Sequence, residues 1–204
     1  KTYSVDSKAS FVSFDGKYIW VGDFTKGSNY KPVKHHKIMG RKNWIAGYLV
    51  DSDGYPTSQI EYTYKDGDDS DTVHKPDAVI AMRESVQGMA VCGDYVALTV
   101  SYGATNSKLA IYKNPLNTDS EKLSYKPEGQ NSSYSVEAWE LADKKNWIET
   151  VTLPAGAEDL EYDGENLYVT FECSSKNYKT KWRLNPLVKI TDDFYLINPL
   201  AIVK

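Results

Sequence analysis

Ser10-Phe11-Val12-Ser13-Phe14-Asp15-Gly16-Lys17-Tyr18-Ile19-Trp20-Val21-Gly22-Asp23 reads as strand, tight turn, strand. Apolar and β-branched residues flank an Asp-Gly pair, and glycine accepts the positive φ that a two-residue hairpin turn requires. The same reading returns at Val86–Gly103, with Gly93-Asp94 in the turn, and at Ala157–Glu172, with Asp163-Gly164. Gly16, Gly93 and Gly164 recur at intervals of roughly 70–80 residues, so the hairpin marks an internal repeat.

Further strand-like segments follow each hairpin. They are 43–50 and 77–82 after the first, 108–112 and 136–141 after the second, and 187–190 and 194–197 after the third. Four short strands per unit is the blade of a β-propeller. The expected fold is all-β and β-propeller-like, a single domain over 1–204 with about three four-stranded blades at 9–85, 86–156 and 157–204. The intervals exceed the roughly 40–50 residues of common blades, so 51–75 and 114–135 are expected as excursions. The acidic run Asp66-Gly67-Asp68-Asp69-Ser70-Asp71 reads as a solvated loop, and 135–146 as a strand with a turn at Asp143-Lys144-Lys145. Three blades do not close a ring. The chain is therefore expected to belong to a larger propeller of about five to seven blades, closed by the remaining blades of a longer chain or by another chain. In that reading Lys1–Val5 is the outer strand of a preceding blade.

Composition agrees with a β-rich protein. The 204 residues include 16 tyrosines and 5 tryptophans against 3 methionines, and aromatic rings pack well on pleated sheets. The net charge of -4 argues against a nucleic-acid partner, which needs a concentrated basic face. No apolar run reaches the roughly 18 residues of a membrane span. Cys92 and Cys173 fall in different repeats and are expected as free thiols.

The three hairpin segments resemble secreted β-propeller proteins of Gram-positive gut bacteria. More distantly, their strand pattern resembles the virginiamycin B lyase-like and quinoprotein-dehydrogenase-like propellers. The resemblance implies a bacterial protein, extracellular or at the cell surface. It transfers no activity, because the lyase group uses a central-face histidine and none lies in an inner strand here.

Alignment on the turns places Gln87 and Glu158 at the start of inner strands, with Asp159 next, and Glu172, Asp23 and Tyr102 near the strand exits. Loops at one end of a rigid scaffold are the usual place for function. The expected ligand face is therefore Gln87, Tyr102, Glu158, Asp159, Glu172 and Asp23. Glu158, Asp159 and Glu172 are the candidate metal ligands, and calcium is the cation that such oxygens suit. His35 and His36 are adjacent and on a strand would point to opposite faces, which argues against joint chelation unless they lie in a loop. No nucleophile elbow or phosphate-cradling loop occurs. The expected function is a non-catalytic binding or scaffold module for a polar small molecule, a glycan, a peptide or protein, or a cell-wall component. The competing readings are a hydrolase or lyase using paired carboxylates with a divalent cation, and a purely structural domain.

Overall fold

The computed structural model describes residues 2–66, 69–172 and 194–197. Its strands in chain order are β1 (Phe11–Phe14), β2 (Tyr18–Gly22), β3 (Asn43–Leu49), β4 (Glu61–Asp66), β5 (Asp69–His74), β6 (Ala78–Met82), β7 (Val86–Cys92) and β8 (Tyr95–Val100). Then follow β9 (Ser107–Lys113), β10 (Glu121–Tyr125), β11 (Tyr134–Glu140), β12 (Trp147–Leu153), β13 (Ala157–Tyr162), β14 (Leu167–Phe171) and β15 (Phe194–Ile197). Two short 3-10 turns lie between the strands, η1 (Lys34–His36) and η2 (Pro115–Asn117). The all-β expectation holds. Among the described residues no helix is long and apolar enough to cross a membrane.

The repeated hairpins form as read: β1 with β2, β7 with β8, β13 with β14. Gly16, Gly93 and Gly164 take φ of 91°, 61° and 101° in the turns. Two of the aspartates do more than turn the chain. Asp15 Oδ1 accepts from the N–H groups of Lys17 and Tyr18, and its Oδ2 from Trp20 Nε1–H at 2.8 Å. Asp163 repeats this with Glu165, Asn166 and the Tyr168 hydroxyl. An aspartate that satisfies backbone donors two and three residues on holds the turn and the aromatic residue together.

The sheets are ordered β1-β2-β3-β6-β11-β10, β12-β9-β8-β7, β13-β14-β15 and β4-β5. Residues 121–140, expected with the second unit, instead pair in the six-stranded sheet, where β11 lies parallel to β6. Only then does the chain return to the second sheet as β12, against β9. Of the acidic run, Asp66 lies in β4 and Asp69, Ser70 and Asp71 in β5, while Gly67 and Asp68 lie outside the described residues; further along this pair the register Tyr62↔Val73 turns both residues inward, to 4% and 1% exposure. Val5 bridges His74, and Asp6 is fully buried, so the N-terminal segment packs against β5. The segment 187–190 and Cys173 lie outside the described residues.

The core has three layers. Phe11, Trp20, Ile45, Ile80 and Met82 meet Met89 and Leu98 between the first and second sheets. Val21, Trp44, Ala46, Val79 and Ala81 face the other way, against Tyr62 and Val73 of the small hairpin. Ala90, Leu109 and Ile111 meet Leu160, Leu167 and Val169 between the second and third sheets. A sheet covered on both faces needs apolar residues at every position. That explains the unbroken run Ala78-Val79-Ile80-Ala81-Met82, all at 0% exposure. Each large side chain buried there contributes on the order of 1.5–3 kcal/mol.

Candidate functional site

Strands β1, β7 and β13, which open the three repeated hairpins, contact one another. The turns at one end are joined by hydrogen bonds. Ser85 N–H donates to Thr25 O at 2.8 Å, Ser101 N–H to Ser85 O at 3.0 Å, and Glu172 N–H to Gly156 O at 2.8 Å. Ser107 Oγ–H donates to Ser101 Oγ, and Ala157 N–H donates to Ser107 Oγ. Ser85 holds a φ of 69° there, unusual for a residue with a side chain. The Ser85 and Thr25 hydroxyls are buried without partners.

Beside this end, Gln87 lies in a register shift of β7, and Glu158 and Asp159 lie in one of β13. Such bulges re-aim side chains. Gln87 Nε2–H donates to Glu158 Oε1 at 3.5 Å. Burial, then the charges of Glu172 and Asp159, push the Glu158 carboxyl up to about 7. Burial also raises Asp159, against the Leu160 N–H that stabilises its charged form. No Lys or Arg pairs with these three acids among the described residues. The two strands approach so closely because residue 88 is glycine: a Cβ would stand 2.7 Å from Asp159 Cα and 2.8 Å from Glu158 O.

The other two expected ligand residues have different partners. The Tyr102 ring stacks on Phe24 at 6.2 Å, with Lys26 Nζ 5.3 Å from its centroid. Asp23 is buried and belongs to a second polar group, which strand reasoning missed.

That group is built on η1. His35 and His36 sit in a 3-10 turn closed by Lys37 N–H to Lys34 O, not in a strand, and both rings turn inward. His35 Nε2 lies 2.5 Å from Asp6 Oδ2, and His36 Nε2 lies 3.2 Å from Asp6 Oδ1. The Tyr62 hydroxyl also donates to Asp6 Oδ2. On the far side of its ring, His36 Nδ1 lies 3.1 Å from Asp23 Oδ2. The Ser7 hydroxyl and the Lys8 N–H both donate to Asp23 Oδ1. His36 stacks on Trp44 at 4.3 Å, and His35 stacks on Tyr125 at 5.8 Å.

Comparison with family models, with curated proteins and with solved structures finds no match.

Burial disfavours charge on Asp6, but hydrogen bonds from His35 and His36 outweigh it and hold the carboxyl well below its usual range. Burial likewise opposes charge on His36, and hydrogen bonds to Asp23 and Asp6 raise its pKa. Both His36 nitrogens face carboxyl oxygens, so the protonated ring can donate one N–H to each. A groove of about 720 Å³ opens beside η1, with His35 and Tyr125 in its wall and Lys34, Lys37, Lys126 and Glu128 around it. Cys92 takes no part: it is a free, buried thiol that burial pushes up to about 12.

Proposed function

We propose that this protein is a non-catalytic, extracellular binding module of propeller-like build, and that it holds a polar ligand at the end where β7 and β13 converge. The observation that carries the reading is the Glu158–Gln87 pair. Two bulges aim these side chains together, Glu172 and Asp159 lie close, and no basic residue neutralises them among the described residues. Such a group offers oxygens to a donor-rich ligand, such as a glycan hydroxyl or a peptide amine. It also offers them to calcium, a hard cation that binds through carboxylate and amide oxygens.

Titration of the protein with calcium chloride by calorimetry tests this reading. One saturable site and a raised melting temperature are expected, both lost in the Glu158→Gln/Glu172→Gln double variant. Absence of saturation, or a double variant that binds like the parent, would sink the assignment.

The same carboxyl makes a pH prediction. Glu158 binds its proton more tightly folded than unfolded, so its contribution is full below the usual value of 4.5. It is lost as pH rises through about 7. For a half-exposed group the effect is on the order of 1 kcal/mol after solvent screening. Urea unfolding from pH 4.5 to 8 should show this decline in the parent and a flatter profile in Glu158→Gln. A second reading, paired-carboxylate hydrolysis or lyase chemistry, draws on the same value, because a carboxyl near 7 is poised to give or take a proton at neutral pH.

A further inference from the structure

We propose that Asp6, His35 and His36 bind a divalent transition metal ion of the zinc type, at a site separate from the Glu158 group. One ligand atom from each of the three lies within 4.8 Å of the others, and all three residues are buried. Both histidines present Nε2 to the same carboxyl group, at 2.5 and 3.2 Å. Metal–ligand bonds of about 2.0–2.2 Å place neighbouring ligand atoms roughly 3–3.5 Å apart, so small side-chain shifts admit an ion. Two imidazoles with one carboxylate suit zinc, iron, cobalt or nickel and disfavour calcium and magnesium, which prefer all-oxygen sets.

Three further observations point the same way. First, Asp23 Oδ2 lies 3.1 Å from His36 Nδ1, the carboxylate–histidine arrangement that turns Nε2 toward a metal. Asp23 is itself fixed by Ser7 and Lys8. Second, His35 is 9% exposed and its Nδ1 has no partner, nor has Trp44 Nε1 beside it, so the chain alone does not complete the polar contacts of this pocket. Third, the groove along η1 has His35 in its wall, so one of the three ligands borders open space. Three protein ligands leave at least one coordination position for water or an exogenous group.

The experiment is cobalt(II) titration of the full chain after dialysis against a chelator, followed by zinc competition. Expected are one equivalent bound, visible ligand-field absorption from nitrogen and oxygen ligands, displacement by zinc, and a zinc-dependent rise in melting temperature. His35→Gln and His36→Gln should abolish the spectrum. Asp23→Asn should keep the stoichiometry and weaken binding about 10- to 100-fold. His74→Gln, whose ring pairs with Glu61 at 3.4 Å, should bind like the parent. Should His36→Gln not fold, His35→Gln carries the test, because Asp6 keeps its other two donors. The proposal is overturned by absence of saturable cobalt binding at one equivalent, by full affinity in His35→Gln, or by loss of binding in His74→Gln. Calcium binding at Glu158 is decided separately, so either site can fail alone.

Discussion

Alanine at position 6 should remove about 3–5 kcal/mol of stability, the cost of breaking a buried charged network by deleting one partner. Asp6 accepts from His35, His36 and Tyr62 in a site with no exposure to solvent. Without it, three buried donors lose their acceptor and a protonated His36 loses one of its two counter-charges. Tyr62→Phe is the control: it removes one donor and leaves the acid paired, so about 1 kcal/mol is expected. Urea midpoints of the metal-free proteins at pH 5.5 test this pair, and equal losses in the two variants would contradict it. The choice of pH follows from the signs. Asp6 is depressed, so its contribution is present above the usual 3.8 and fades on acidification below it. His36 is raised, so its contribution is full below the usual 6.5 and fades as pH climbs beyond it. The network is at its strongest between those two values.

Gly88→Ala is the second large effect, a loss of about 3 kcal/mol from overpacking where nothing can yield. The added methyl meets Asp159 Cα at 2.7 Å and Glu158 O and Leu160 N at 2.8 Å, all of them backbone. The Thr99 hydroxyl donates to that same Glu158 carbonyl, which ties β13 to β8 as well. Gly16→Ala provides the comparison. No atom lies within 4 Å of its would-be Cβ, so only the strain of its positive φ is paid, on the order of 1 kcal/mol. Chemical denaturation of both variants decides the matter, and a Gly88→Ala midpoint no lower than that of Gly16→Ala would refute the clash.

The local part of this fold was legible and the non-local part was not. Asp15-Gly16, Gly93-Asp94 and Asp163-Gly164 dictate hairpins because the turn geometry depends on two residues and their immediate flanks. The pairing of β11 with β6 carries no such mark: Glu137↔Ala78 joins residues far apart in sequence, and either sheet would accept the pattern of 134–140. Trp147–Leu153 carries a weak strand signal because this outer strand is mostly half-buried or exposed, with only Leu153 fully in the core. The same division holds for the sites. Gln87, Glu158 and Asp159 could be aligned through the repeat, and the structure brings Gln87 to Glu158. Strand geometry alone separates His35 from His36, whereas the preceding Pro32 signals a turn, in which neighbouring rings can face the same way. A lone Asp6 near the N-terminus matches no motif, and only tertiary packing carries it to η1.

The late arrival of β11 also has a meaning for synthesis. As the chain leaves the ribosome, β6 emerges with β3 already beside it, yet its other edge has no strand to pair with. Roughly sixty residues, including the first three strands of the next sheet, must emerge before β11 closes that edge, which takes about 3–12 s at bacterial to eukaryotic elongation rates. Throughout that interval an apolar strand edge is left unpaired, the kind of surface that recruits foreign strands and holdase chaperones. Slower translation of residues 83–134 is thus expected to lengthen the time that this edge stays open.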